Sequence, residues 1–152
     1  MLNNIIKTQV ISLWKEAFGD TDEEVCFFLD NCRNKELIAK DEEEKLFSML
    51  FLVDCKINEK NAKYVYAAST FKSRRGYGDM TQLLNICKEK YSVIGLLPAD
   101  EGLVDFYKKR GFVNKYSLDC ISFDESDEII NEYLFEGSKL EKPFLLVYEK
   151  EN

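Results

Sequence analysis

The stretch from Tyr64 to Cys87 leaves the chain few ways to fold. Tyr64-Val65-Tyr66-Ala67-Ala68-Ser69-Thr70 is aromatic, β-branched and small, the composition of a strand. Met80, Leu83, Leu84 and Cys87 recur at i, i+3, i+4 and i+7, the spacing of one buried helical face. Between them stands Arg75-Gly76-Tyr77-Gly78-Asp79, so the segment reads as strand, glycine turn, helix. The first backbone N–H groups of such a helix lack intrahelical partners and, with the positive end of the helix dipole behind them, face whatever lies above the turn. A turn of this kind attracts an anion, most often a phosphate. Gly76 and Gly78 let the backbone approach a ligand closely and reach positive φ without strain. No Gly-Lys-Ser/Thr follows, which excludes the Walker pattern, and the glycine spacing does not suit the Rossmann fingerprint.

Charge sharpens this reading. With 28 acidic against 21 basic residues the net charge is -7, which argues against a general nucleic-acid binder, since that would need a basic face. Yet Lys72, Arg74 and Arg75 flank the glycine turn, and Lys108-Lys109-Arg110 follow later. Basic groups around a phosphate cradle in an acidic protein fit an anionic cofactor; taken singly, each reads equally well as solvated surface charge. The chain has no histidine, which removes histidine acid-base chemistry and a Ser-His-Asp triad. Its five cysteines form no CxxC pair, against both a disulfide framework and a zinc site. Met1-Leu2-Asn3-Asn4 lacks the regions of a signal peptide and no apolar run approaches a membrane span, so a reducing, cytoplasmic setting away from the membrane is the expectation.

Around this centre the chain divides readily. Residues 4 to 18 carry Ile6, Val10, Leu13, Trp14 and Ala17 on one helical stripe, stopped by Gly19. Thr21-Asp22-Glu23-Glu24 is a capping box opening a second helix to about Asn31, with Val25, Phe28, Leu29 and Cys32 inward. Trp14, Phe27 and Phe28 read as core before they read as pocket. Glu36 to Lys40 is a short strand and Asp41 to Glu44 a solvated turn. The nearly continuous apolar run from Lys45 to about Ile57 predicts a strand covered on both faces. Asn58 to Asn61 turns it into Ala62–Thr70 as an antiparallel hairpin. Beyond the helix ending near Lys90, Val93 to Leu97 is a strand parallel to Ala62–Thr70. Asp100 is the N-cap of a helix with Leu103, Phe106 and Tyr107 on one side and Gly111 at its stop. One strand is expected over Phe112 to Phe123, an amphipathic helix over Ser126 to Leu134 through Ile129, Ile130 and Tyr133, and a closing strand over Phe144 to Glu149.

Tyr66 to Leu84, with Leu97-Pro98-Ala99 and Asp105 to Phe112, resembles the GNAT superfamily of acyl-CoA-dependent N-acyltransferases. That family's pyrophosphate motif falls on Arg75, Gly78 and Met80, with Gly76 in the common second position; Met80 stands where a small residue is usual. Asp79 is an acid inside the anion turn and weakens phosphate binding unless it points to solvent. The resemblance implies an α/β (α+β) fold: a single GNAT-like domain over residues 1–152, with a mixed, mostly antiparallel central sheet flanked by helices and a central β-α-β acyl-CoA-binding unit. Most of the family begins with a strand before the first helix, and here that strand is expected to be absent or very short.

The activity implied is N-acetyl transfer from acetyl-CoA, releasing CoA, to a primary amine of a small molecule or peptide. A non-catalytic acyl-CoA-binding or regulatory module is the alternative. By the same resemblance, pyrophosphate lies on the turn from Arg74 and Arg75 through Gly76, Tyr77, Gly78 and Asp79 to Met80. Ala68, Ser69 and Thr70 on the preceding strand face the pantetheine and thioester. Tyr107 matches the tyrosine that protonates the leaving thiolate, and its other reading is packing beside Phe106. The strand carries no glutamate where family members often place a general base. A water relayed through Tyr64 or Tyr66, a carboxylate from elsewhere, or an already neutral amine would each serve. A sheet edge left bare by a missing first strand keeps a homodimer open.

Overall fold

The computed structural model describes residues 3–151. Its elements run α1 (Asn4–Phe18), α2 (Asp22–Asn31), β1 (Lys35–Glu42), β2 (Lys45–Ile57), β3 (Lys60–Thr70), α3 (Asp79–Lys90), β4 (Val93–Leu96), α4 (Glu101–Lys108), β5 (Asn114–Tyr116), β6 (Ile121–Phe123), α5 (Asn131–Leu134) and β7 (Leu145–Glu149). Strand order in the sheet is β1-β2-β3-β4-β7-β5, with β6 paired to β2. Every pairing is antiparallel except β3 with β4, the two strands joined through α3. Asn3, the described residue before α1, caps that helix by accepting from Ile6 N–H at 2.8 Å, so no described strand precedes α1 and β1 stands at the sheet edge.

Local chemistry sets most of these boundaries. Gly19 closes α1 at φ 71, donating its N–H to Lys15 O. Thr21 and Glu24 make the reciprocal bonds of the capping box, at 3.2 and 3.0 Å, and start α2. Both hairpin turns are tighter than the sequence suggests. Glu43-Glu44 and Asn58-Glu59 each take positive φ, the two-residue turn whose twist matches the strands it joins, and this leaves Asp41 and Glu42 in β1.

Two apolar layers enclose the sheet. On one face α1, α2 and α5 pack through Leu13, Trp14, Phe28 and Leu134 against Met49, Phe51, Val53 and Tyr64. On the other α3 and α4 pack through Leu83, Leu84, Cys87, Val104 and Tyr107 against Leu50, Leu52, Val65, Leu96 and Leu146. The predicted run of β2 is covered on both sides because its alternate residues serve different layers.

Two expectations give way. Phe112 to Phe123 is not one strand: β5 leaves β7 after Tyr116, Ser117 Oγ accepts from Asp119 N–H in a 3₁₀ turn over Leu118–Cys120, and β6 then pairs with the far end of β2. A hydroxyl that supplies a local backbone bond competes with the ladder. Ser126 to Leu134 begins as a 3₁₀ turn over Glu125–Ile130, in which side chains three apart align. Asp127 and Ile130 therefore turn inward while Ile129 is 61% exposed. The buried Asp127 carboxylate accepts from Arg33 N–H at 2.7 Å and Asn34 Nδ2 at 3.1 Å, fastening this segment to the start of β1. On α4 Leu103, Phe106 and Tyr107 share one side as expected, and the buried Val104 joins them there.

Candidate functional site

β3 and β4 are paired only over Lys63–Val65 and Ile94–Leu96. β4 then ends, whereas β3 continues to Thr70, so from Tyr66 onward β3 has no strand on its β4 side and the sheet opens into a slot. At its mouth the register of β3 against β2 shifts between Met49 and Phe51, and Ala67 takes φ 56. Such a bulge turns backbone groups out of the ladder. It also breaks the facing pattern: Tyr66 and Ala67 both pack on the α1–α2 layer, and Ala68 on the α3–α4 layer. Beyond it the buried Ser48 Oγ lies 3.1 Å from Ser69 O and 2.8 Å from Thr70 Oγ1, fixing the end of β3.

The glycine turn stands at that end of the slot. Gly76 and Gly78 lie in the left-handed region at φ 89 and 78, and a Cβ at either would meet nothing within 4 Å. The backbone angle, not crowding, thus demands glycine, and the space above the turn is open. Gly78 caps α3 without a side chain. Gln82 N–H bonds back to Gly78 O at 3.1 Å, which leaves the N–H groups of Asp79, Met80 and Thr81 as the helix's unpaired first donors.

Asp79 does not point to solvent. Its side chain is 1% exposed and accepts from Arg74 Nε at 2.9 Å, while Oδ1 is buried with no partner among the described residues. Arg74 lies against both Phe47 and Tyr77, 4.5 and 4.3 Å from the ring centroids. Its charge is therefore spent on Asp79. Arg75 is exposed, with Nε donating to Thr70 O at 3.3 Å, and Tyr77 is 63% exposed. Met80 is half-buried against the α3–α4 core, so the large residue at this position fills a packing gap. A second guanidinium, from the basic run Lys108-Lys109-Arg110, reaches the first turn of α3: Arg110 donates through Nε to Thr81 Oγ1 at 2.8 Å and stacks on Phe106 at 3.6 Å.

Tyr107 lies in the same apolar layer as Ala68 and Leu96, which bound the slot on that side, with Phe106 and Phe112 at 5.3 and 6.0 Å edge-on. Burial pushes its phenol up to about 12, and its hydroxyl has no hydrogen-bond partner among the described residues. Tyr64 and Tyr66 are engaged instead: their hydroxyls donate to Leu134 O at 2.5 Å and Tyr133 O at 3.0 Å. Burial raises both phenols further, which leaves neither suited to relay a proton. A half-open hollow of about 380 Å³ beside the turn is lined by Phe47, Phe71 and Arg74 among others.

A splayed pair of parallel strands, a bulge on the longer one and a glycine-capped helix at its end define the GNAT fold, and this chain has it. An acyl-CoA N-acyltransferase from Pseudomonas aeruginosa superposes with a TM-score of 0.64 at 14% identity over 97% of this chain and 92% of its own. A GNAT family N-acetyltransferase from Escherichia coli in complex with CoA gives 0.58 at 14% identity, covering 72% of this chain and 64% of the other. A probable N-acyltransferase from Enterococcus faecalis gives 0.55 at 19% identity over 73% of this chain, which spans only 30% of that longer protein. No family model matches the sequence, and no curated protein matches it.

Proposed function

We propose that this protein transfers an acetyl group from acetyl-CoA to a primary amine of a small molecule or peptide. The observation that carries the proposal is the conjunction of the slot and the cradle: five residues of β3 without a β4 neighbour, ending beside three unpaired N–H groups behind Gly78. That geometry suits a ligand with an anionic head and an extended amide-bearing arm. Pyrophosphate rests on the turn from Gly76 to Met80, with Arg75 supplying charge. The pantetheine arm runs along Ala68, Ser69 and Thr70, and a backbone N–H near the bulge polarises the thioester carbonyl. The amine nitrogen bonds to the carbonyl carbon as the C–S bond breaks. Tyr107 gives its proton to the departing sulfur, the proton lost from nitrogen passes to water, and the phenolate left on Tyr107 takes a proton back from solvent. The products are an amide and CoA thiol.

One observation favours a second reading, a non-catalytic acyl-CoA-binding module. The Asp79–Arg74 pair cancels a charge where phosphate would sit, and the strand offers no carboxylate as base. Calorimetric titration with acetyl-CoA, run beside a thiol-release assay over a panel of primary amines, separates the two. Binding with amine-dependent thiol release is the outcome expected. Binding without release on any amine supports the module, and no binding by the folded protein overturns both.

A further inference from the structure

We infer that β1 is the interface of a homodimer: it pairs antiparallel with β1 of a second copy about a two-fold axis through Ile38, joining two sheets into one. This concerns the sheet edge and does not depend on the transferase reading. Three strands of the described sheet have a free side. β5 and β6 are three residues each, short enough to blunt their edges. β1 is eight residues long, and among the described residues no strand pairs with the side it turns away from β2. Its ladder to β2 is regular from Lys35 to Lys40, and the register shifts only after that. A row of unpaired backbone N–H and C=O groups of this length is a template for another strand.

The charges on β1 are arranged for such pairing. Its side chains alternate between faces: Leu37 and Ala39 pack on the α1–α2 layer, and Ile38 on the α3–α4 layer. A two-fold axis normal to the sheet keeps each face on its own side, so the axis passes through a residue. Through Ile38, Glu36 faces Lys40 of the second copy, Lys35 faces its Asp41, Leu37 its Ala39, and Ile38 meets Ile38. Every charge from 35 to 41 then opposes its opposite, the favourable arrangement across an antiparallel pair. With the axis at Ala39, Glu36 faces Glu42 and Leu37 faces Asp41; at Leu37, Lys35 faces Ala39 and Glu36 faces Ile38. Within each pair one member is already held in place. Glu36 accepts from Lys90 and from the Tyr91 hydroxyl, the latter at 2.6 Å, and Lys35 Nζ donates to Leu29 O and Cys32 O at 2.8 and 2.5 Å. Lys40 and Asp41 join no ion pair among the described residues and are free to reach across. The slot lies beyond β2 and β3 from this edge, so both copies keep it open.

The test is sedimentation equilibrium of the full-length protein across the micromolar range, without CoA. We expect a dimer, and we expect Lys40→Glu and Asp41→Lys each to weaken it roughly tenfold or more, since each sets two like-charge pairs across the two-fold. Neither substitution breaks an ion pair within the described chain, so denaturation midpoints should match the wild type. Glu36→Lys should dissociate in the same way. An equimolar mixture of Glu36→Lys and Lys40→Glu should dimerise again, because only the mixed pair opposes unlike charges at both positions. A wild type that stays monomeric at the highest concentration overturns the inference. So does a dimer that either Lys40→Glu or Asp41→Lys leaves intact, which places the interface on another surface, and so do two folded variants that remain monomers when mixed.

Discussion

Arg74 Nε lies 2.9 Å from Asp79 Oδ2 in the first turn of α3, so an ion pair with a buried carboxylate occupies the turn proposed to hold phosphate. The Asp79 carboxylate interacts favourably with the N-terminal end of the helix dipole, as an anionic ligand would, and so competes with that ligand for the same field. Asp79→Asn removes the competing charge and frees Arg74. Acetyl-CoA affinity should rise roughly fivefold, within the range expected for one charge at a helix terminus. An affinity that is unchanged or lower by calorimetry would show that Asp79 lies outside the ligand's field.

Removing the other partner has the opposite character. Arg74→Met leaves the Asp79 carboxylate buried without a cation, beside an Oδ1 that already lacks a donor among the described residues. Breaking a fully buried pair from one side costs about 3–5 kcal/mol, and the partly exposed Arg74 puts this pair below that range. Chemical denaturation should show a loss of roughly 1–3 kcal/mol, recovered largely in the double variant Arg74→Met/Asp79→Asn.

Gly78 caps α3 at φ 78 and a Cβ there touches nothing, so the two consequences of substitution can be read apart. Gly78→Ala should lower stability by about 1 kcal/mol through left-handed strain alone. Acetyl-CoA binding should fall much more, since the new methyl group projects into the open space above the cradle. Binding that falls no further than stability does would place the ligand elsewhere.

The strand, glycine turn and helix were legible because glycine, helix periodicity and strand composition are local properties, and each survives in the structure from Tyr64 to Cys87. The capping box at Thr21 and the N-cap at Asp100 were legible for the same reason. Asp79 was not: whether a carboxylate in a turn faces water or a guanidinium depends on Phe47 and Tyr77 closing over Arg74, a tertiary event. Nor was the bulge at Ala67, an alanine at positive φ that no propensity predicts and that the β2 register imposes. The 3₁₀ turn at Glu125–Ile130 escapes a 3.6-residue period because its side chains repeat every three residues.

Burial also fixes how stability depends on pH at the alkaline end. Desolvation pushes the Cys32, Cys55 and Cys87 thiols from 9.0 to about 12, so above pH 9 the unfolded chain gives up protons that the folded chain keeps. The unfolded state then binds fewer protons, and stability falls as pH rises. The contribution is intact below pH 9 and lost progressively towards pH 12, by up to about 1.4 kcal/mol per pH unit for each thiol. Denaturation midpoints measured from pH 8 to 10.5 should decline, and triple replacement of these cysteines by alanine should flatten the decline while lowering the midpoint at pH 8. A decline of the same slope in the triple variant would assign the effect to other groups.

Tyr107 tests the chemical step itself. Its phenol, pushed up to about 12 by burial, stays protonated throughout the range in which an enzyme can be assayed, so it is a donor and never a base. Tyr107→Phe keeps the ring that meets Phe106 and Phe112 and removes only the hydroxyl, which has no partner among the described residues, so stability should change little. Loss of a general acid should lower kcat roughly a hundredfold while acetyl-CoA affinity holds. A donor thioester bearing a leaving group less basic than an alkyl thiolate, such as acetyl thiophenol, needs no proton at sulfur. With it the variant should recover most of its rate, measured as thiophenol release. A defect of equal size on both esters would mean that Tyr107 shapes the slot without giving up a proton, and the acid would then have to be water.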